Sequence, residues 1–152
     1  MNTQLIHKYN VPGPRYTSYP TVPYWDQTPP SESEWQQQIQ QTYETSGHQG
    51  ISLYVHLPYC ESLCTYCGCT TRITVNHQVE KPYIDAVLQE WKMYRQLLTE
   101  SPLIRELHLG GGTPTFFSPA SLKRLIKGLI RLGKIDEKTT MSLEAHPNST
   151  TK

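Results

Sequence analysis

A chain of 152 residues is long enough for one domain with a buried core. Its formal net charge of +1, with no run of basic residues, does not favour nucleic-acid binding, and no apolar stretch approaches the length of a membrane span. We therefore expect a cytoplasmic protein without nucleic-acid or membrane partners, whose cysteines are exposed to a reducing compartment.

Residues 1–50 are predicted to form an irregular arm followed by a short helix. The first thirty residues are rich in prolines, which disfavour helix interiors and central strands. They are also rich in aromatic side chains, so the arm either packs on the domain or crosses a ligand site. A capping box at Ser31 then starts a helix that ends at Gly47. The buried face of this helix is expected to comprise Trp35, Ile39 and Tyr43.

The rest of the chain alternates between strand and helix patterns. Apolar and polar residues alternate over Ile51 to Leu57, which is typical of a strand, whereas residues 70–79 show no regular pattern. The later predicted elements are a helix over Lys81 to Leu98, a strand over Leu103 to Leu109, a helix from Ser118 to Gly133 and a strand over Met141 to Ala145. This order predicts an α/β fold with a parallel sheet. Because no helix follows the third strand, we expect residues 51–152 to be part of a longer barrel or open sheet.

All four cysteines lie within ten positions, just after the first strand, as Cys60, Cys64, Cys67 and Cys69. Crowded thiolates favour zinc or an iron–sulfur cluster. A structural zinc site needs four ligands, usually in two separated pairs, and no second pair exists in this sequence. Three close cysteines fit a [4Fe–4S] cluster in which one iron remains open. Disulfide pairing and a structural metal site without catalysis are the alternatives.

Two further features follow the predicted strands at the sheet edge that carries the cysteines. The glycine turn (residues 110–112, followed by Thr113) comes after the second strand, and Glu144 lies near the end of the third. The turn matches no phosphate-binding motif, so it is either a tight connection or a place where a ligand approaches the backbone. Glu144 is either a cap or surface residue or a site residue. Tyr66 either packs or stacks on an adenine, and His56 is either an interior or a site residue.

Four stretches together resemble the oxygen-independent coproporphyrinogen III oxidase family of radical S-adenosylmethionine (SAM) enzymes. They are Gly13 to Pro20, Ser52 to Cys60, Cys64 to Cys69 and Leu107 to Thr115. The resemblance covers the N-terminal part of a longer family protein. It implies that residues 51–152 form the first three βα units of a partial (β/α)6 TIM-like radical SAM barrel, preceded by the arm. We expect such an incomplete piece to lack turnover on its own.

The resemblance also implies roles for individual residues. The residues that would hold the [4Fe–4S] cluster are Cys60, Cys64 and Cys67. The residues that match positions for the cluster-bound SAM are Tyr54, Gly111 and Glu144, and those for a second SAM are Tyr66, Gly112 and Thr113. Arg15 and Tyr16 belong to an arm expected near the substrate, and Cys69 matches an extra cysteine that is not a ligand. His146 stands where the family pattern has Asp, and its role is unassigned.

The implied activity is the oxidative decarboxylation of two propionate side chains of coproporphyrinogen III, which gives protoporphyrinogen IX in haem biosynthesis. An electron from a flavodoxin-like or ferredoxin-like donor protein cleaves SAM, and the resulting radical removes a hydrogen from a propionate. Loss of CO2 and one electron then leaves a vinyl group. A haem-binding or haem-trafficking relative on the same scaffold is the alternative.

Overall fold

A computed structural model describes residues 3–11, 24–26 and 28–147. The chain divides into two compact units, Met1–Glu32 and Ser33–Lys152. In the first unit, a seven-residue helix α1 spans Thr3–Tyr9, which corrects the prediction of an irregular arm from the first residue onward. The first proline is Pro12, so no helix breaker precedes it. The predicted arm residues Arg15 and Tyr16 lie outside the described residues.

Apart from the short strands β2 and β3, the remaining elements alternate between strands and helices, as the sequence predicts. In chain order they are α2 (Glu32–Ser46), β1 (Ile51–Leu57), β2 (Tyr59–Cys60), β3 (Arg72–Ile73), α3 (Glu80–Leu97), β4 (Ile104–Gly111), α4 (Pro119–Leu132) and β5 (Thr140–Leu143). Helix α2 buries Tyr43 as expected, whereas Trp35 is 50% exposed.

The main sheet has three parallel strands in the order β1-β4-β5, which confirms the predicted parallel α/β fold. Consecutive strands are therefore neighbours, and their carboxyl ends lie at one edge of the sheet. The register places His108 between Tyr54 on β1 and Ser142 on β5.

A second, small parallel pair joins β2 to β3 and was not predicted, because residues 70–79 look irregular in the sequence. Tyr59 pairs with Arg72 and Cys60 with Ile73. Strands of two residues show no periodicity, and their pairing depends on a contact across the intervening loop. A 3-10 helix over His77–Val79 then leads into α3.

Helices α3 and α4 pack together against the apolar face of the sheet. The indole Nε1 of Trp91 donates a hydrogen bond to the carbonyl oxygen of Leu129 at 3.0 Å, which ties the two helices. The largest fully buried side chains in this core include Leu57, Ile84, Ile104, Leu107, Leu109, Phe117, Leu125 and Leu129. Val55 is buried and Tyr54 exposed, so the predicted alternation of β1 is confirmed. The opposite face of the sheet is polar. Among the described residues, no helix is long and apolar enough to cross a membrane.

Candidate functional site

A cavity of about 380 Å³ lies at the carboxyl edge of the sheet. Its walls come from the cysteine loop (residues 60–71), the glycine turn at the end of β4 and the segment after β5. The predicted site residues that line it are Cys60, Cys64, Tyr66, Cys67, Gly112, Thr113 and Glu144, and Cys69 and His146 line it as well. The structure therefore brings together residues from all three strand ends, where parallel α/β proteins place ligands.

The cysteine loop is closed at its base by the β2–β3 pair. The amide of Arg72 donates to the carbonyl of Pro58 at 2.7 Å, and the amide of Thr74 donates to the carbonyl of Cys60 at 2.9 Å. The Sγ atom of Cys60 is buried and lies 3.2 Å from the Oγ1 atom of Thr113 on the glycine turn. Cys60 is thus held by the sheet, unlike the other cysteines of the loop.

Cys64, Cys67 and Cys69 are free and exposed thiols. The amide of Cys67 donates to the carbonyl of Cys64 at 3.2 Å, which forms a turn between them. The pKa of the Cys69 thiol is raised, first by the nearby Cys67 and then by desolvation, Glu144 and Cys60. The charges of two predicted ligands, Cys67 and Cys60, therefore act on Cys69. Among the described residues, no three His, Cys, Asp or Glu side chains converge on a single metal ion.

The glycine turn packs directly on the chain that leads to Cys60. The amide of Gly112 donates to the carbonyl of Leu57 at 2.9 Å, and the amide of Thr113 donates to the carbonyl of Tyr59 at 3.1 Å. A Cβ atom on Gly112 would lie 2.7 Å from the carbonyl oxygen of Pro58 and 2.8 Å from Cys60 Sγ. These distances are too short for any larger residue without displacement of the backbone, so the turn serves at least as a close connection.

Glu144 connects the third strand end to the glycine turn. Its Oε2 atom accepts a hydrogen bond from the amide of Gly111 at 3.1 Å, and its Oε1 atom lies 3.3 Å from Nε2 of His108. Its amide donates to the carbonyl of Leu109 at 2.9 Å and so continues the pairing of β5 with β4. An ionised carboxylate has about four acceptor positions, so Glu144 retains positions for a ligand.

Tyr54 and Gly111 do not line the cysteine cavity, but both lie next to Glu144. A Cβ atom on Gly110 would lie 2.9 Å from Cε2 of Tyr54 and 3.1 Å from Cδ of Glu144, which places these two side chains side by side. The pKa of Tyr54 is raised by partial desolvation and then by the negative charges of Glu144 and Cys69. Tyr54 therefore remains a neutral hydrogen-bond donor at physiological pH.

Tyr54 and His56 form a short hydrogen-bonded chain toward the cysteine loop. The carbonyl oxygen of Thr70 lies 2.8 Å from Nε2 of His56 and can only accept, so this nitrogen carries the proton. The Nδ1 atom then accepts from the Tyr54 hydroxyl at 3.0 Å. His56, for which the sequence left two readings open, thus links β1 to the loop.

His108 and Ser142 belong to the same polar face and are not singled out in the sequence. The ring of His108 stacks on Tyr54, with centroids 5.7 Å apart and planes 16° apart, and its Nδ1 lies 2.7 Å from the Ser142 hydroxyl. Strand periodicity is the signal that could have found them, because His108 and Gly110, like Ser142 and Glu144, are separated by two positions.

These features define a class: an α/β protein with a thiol-lined cavity at the carboxyl edge of a parallel sheet. A comparison with models of protein families finds no match. The oxygen-independent coproporphyrinogen III oxidase of Mannheimia haemolytica is 34% identical over 143 residues, which are 94% of this chain and 94% of that protein. The chain therefore belongs to the oxygen-independent coproporphyrinogen III oxidase family.

Other relatives are much longer than this chain. The oxygen-independent coproporphyrinogen III oxidase of Escherichia coli is 38% identical over 143 residues, but the match covers 30% of its length. The solved structure of coproporphyrinogen III oxidase (HemN) from Escherichia coli, a radical SAM enzyme, matches with a TM-score of 0.78 and 30% identity, over 97% of this chain and 31% of that one. The chain thus spans about 30% of the length of these relatives.

Proposed function

We propose that this chain carries the cofactor-binding part of an oxidoreductase that converts coproporphyrinogen III to protoporphyrinogen IX without oxygen. The observation that carries the proposal is the cavity in which Cys60, Cys64 and Cys67 lie with the glycine turn and Glu144. The names of the family relatives support the substrate. They give no support to the alternative of a haem-trafficking protein.

The donor set in the cavity fits a [4Fe–4S] cluster held by three cysteines. The thiols of Cys60, Cys64 and Cys67 are all free and line the same space. In a cluster each thiolate binds a different iron, so the three sulfurs need not converge on one point. Cys60 is held in place by the sheet, and the exposed Cys64 and Cys67 are free to adjust to the cluster.

The neighbouring residues suit the binding of SAM. When bound, the cluster and SAM supply the one-electron chemistry that removes a hydrogen from a substrate propionate. Glu144 would accept hydrogen bonds from ribose hydroxyls, supported by Tyr54 beside it and by the amide of Gly111, which orients its carboxylate. Tyr66, whose side chain is 90% exposed beside the cavity, is available to stack on a base.

The remaining assignments follow from the family. Gly112 and Thr113, with Tyr66, would contact a second SAM, and Arg15 and Tyr16 of the arm would lie near the substrate propionates. A flavodoxin-like or ferredoxin-like protein would supply the electron in the cytoplasm. Three parallel strands in sequential order support residues 51–152 as the first three βα units of a partial (β/α)6 barrel. Residues 1–50 would be the N-terminal segment and helix that precede it.

The cluster assignment is tested by anaerobic reconstitution with iron and sulfide. We expect about four irons and four sulfides per chain, with visible absorbance typical of the cluster. Cys60→Ala should lose cluster assembly because one of three ligands is removed, whereas the matched variant Cys69→Ala should retain it. Equal loss in both variants, or stoichiometric zinc without sulfide, would contradict the assignment.

The reaction is tested by SAM cleavage under anaerobic conditions with a chemical reductant. A polypeptide that includes this chain within the length of its longer relatives should cleave SAM faster when coproporphyrinogen III is present and should form protoporphyrinogen IX. Haem serves as the control ligand. Tight haem binding without decarboxylation would instead favour the trafficking function.

A further inference from the structure

Glu80 is the buried charged side chain of the described core, with 6% of its surface exposed. Its Oε1 atom lies 2.8 Å from Nδ1 of His77. Its Oε2 atom accepts hydrogen bonds from the amide of Ser118 at 3.1 Å and from the Ser118 hydroxyl at 2.9 Å. Burial of a carboxylate is unfavourable unless such partners compensate it, so these contacts stabilise the charge of Glu80.

His77 has a carboxylate at each of its ring nitrogens. Its Nδ1 faces Glu80, and its Nε2 lies 3.5 Å from Oε1 of Glu61. A neutral imidazole donates from only one nitrogen, whereas the imidazolium donates from both. The pKa of His77 is accordingly raised, first by the hydrogen bond to Glu80, although desolvation opposes the shift. The His77 ring also stacks on Phe116, with centroids 4.4 Å apart and planes 12° apart.

These contacts connect the two segments that form the cavity. Glu61 directly follows Cys60 in the cysteine loop. Phe116 ends the 3-10 helix Pro114–Phe116, which directly follows Thr113 of the glycine turn. Because His77 contacts Glu61 and Phe116 at the same time, it spans the two segments where Cys60 Sγ and Thr113 Oγ1 approach to 3.2 Å. The local sequence pattern of residues 70–79 gives no indication of this role.

We propose that His77 and Glu80 are positioning residues that hold the first turn of the cysteine loop against the glycine turn, with His77 as a cation between Glu61 and Glu80. The proposal rests on the proposed function only in treating this loop as the cluster-binding loop. Loss of His77 would leave Glu61 without this partner and would remove one of the groups that compensate the buried charge of Glu80. Loss of the Glu80 charge would also weaken the acceptor of the Ser118 amide at the start of α4, because a neutral carbonyl oxygen accepts less strongly than a carboxylate.

The test is hydrogen exchange, resolved by residue, on the reduced, metal-free chain. The reporters are the amides of Arg72, Thr74 and Thr113, which close the loop and the turn. We expect His77→Gln and Glu61→Gln to accelerate exchange at these amides several-fold. Glu80→Gln should accelerate it there and in the first turn of α4.

The matched control is His48→Gln. It removes another exposed histidine–carboxylate pair, in which Nδ1 of His48 lies 3.3 Å from Glu100. We expect the loop amides to be unaffected in this variant. Equal acceleration in His48→Gln and His77→Gln, or none in either, would overturn the proposal. If Glu80→Gln fails to fold, the variants of the exposed residues His77 and Glu61 still decide the question.

A second measurement determines the protonation state of His77 directly. The ring nitrogens of His77 should both be protonated near neutral pH by NMR, and the titration midpoint should fall in Glu61→Gln, an effect that a purely steric role would not produce. An unchanged midpoint would refute the bridging arrangement. Both measurements use the metal-free chain, so failure of iron binding would overturn the proposed function and leave this test unaffected.

Discussion

At the scale of single residues, Gly111 holds a backbone conformation that joins β4 to the site. Its φ angle is +120°, in the region that side-chain-bearing residues rarely adopt. A Cβ atom there would lie 2.9 Å from Cε1 of His56 and 3.0 Å from the amide nitrogen of Leu57. The same residue donates its amide to Glu144. One glycine therefore serves both the close packing of β1 on β4 and the orientation of the carboxylate.

Gly111→Ala should lower the free energy of unfolding by about 2–4 kcal/mol, because backbone strain and steric overlap add. The measurement is urea unfolding of the reduced, metal-free chain. Gly68→Ala is the control, since a Cβ atom on Gly68 meets nothing within 4 Å, and its effect should stay within about 0.5 kcal/mol. If the two variants lose similar amounts of unfolding free energy, the backbone at Gly111 accommodates a side chain without strain, and the prediction is wrong.

At the scale of elements, the start of α4 is fixed by a local cap and a distant carboxylate together. The Ser118 hydroxyl accepts from the amide of Ser121 at 3.3 Å, as an N-cap does, and donates to Glu80 on α3. Pro119 occupies the first helical position, and Gly133 follows the last. The sequence predicts the cap, but only the packing of α3 on α4 shows that the capping hydroxyl also donates a hydrogen bond to the buried carboxylate of Glu80.

The two substitutions Ser118→Asn and Ser118→Asp should separate these roles. Both residues are good N-caps, but Asn keeps a donor for Glu80, whereas Asp places a second negative charge beside it. We expect Ser118→Asp to be less stable than Ser118→Asn by about 1–3 kcal/mol, measured by urea unfolding at neutral pH. The difference should shrink in acid, as the carboxylates become protonated. Equal stability of the two variants at neutral pH would mean that Glu80 does not sense the charge at this position.

At the scale of the whole molecule, charged side chains set the dependence of stability on pH. The pKa values of Asp85, Glu100 and Asp136 are lowered, chiefly by hydrogen bonds from Lys81, Lys134 and Arg105, respectively. Their contribution to stability is present above the ordinary carboxylate pKa of about 4 and is lost as the pH falls through the lowered values. The raised pKa of His77 acts in the opposite direction. Its contribution is present below about pH 6.5 and is lost as the pH rises through the raised value.

We therefore expect the urea midpoint of the reduced, metal-free chain to be highest at about pH 5–6 and to fall on both sides. His77→Gln should weaken the decline between the optimum and alkaline pH, because the protonated imidazole is then missing. His48→Gln is the control and should leave that decline in place. If the urea midpoint of His77→Gln falls toward alkaline pH as much as that of the unsubstituted chain, His77 is not the source of the decline.

The elements that the sequence alone determined are those encoded by near neighbours along the chain. The alternation from Ile51 to Leu57 specifies β1, and Ser118 and Gly133 specify the ends of α4, because periodicity and capping act over a few residues. The cysteine spacing likewise indicates a cluster site before any coordinates are known.

Only the tertiary structure decided what depends on contacts between distant segments. The β2–β3 pair, the hydrogen bond from Gly111 to Glu144 and the hydrogen bonds from Ser118 to Glu80 join residues that no local pattern relates. Glu80 directly precedes the helix that the sequence predicts over Lys81 to Leu98, and its burial appears only when α4 packs beside α3. The sequence thus determined the main helices and the strands of the three-stranded sheet, and packing determined which groups meet, because burial and charge pairing arise only once the elements are assembled.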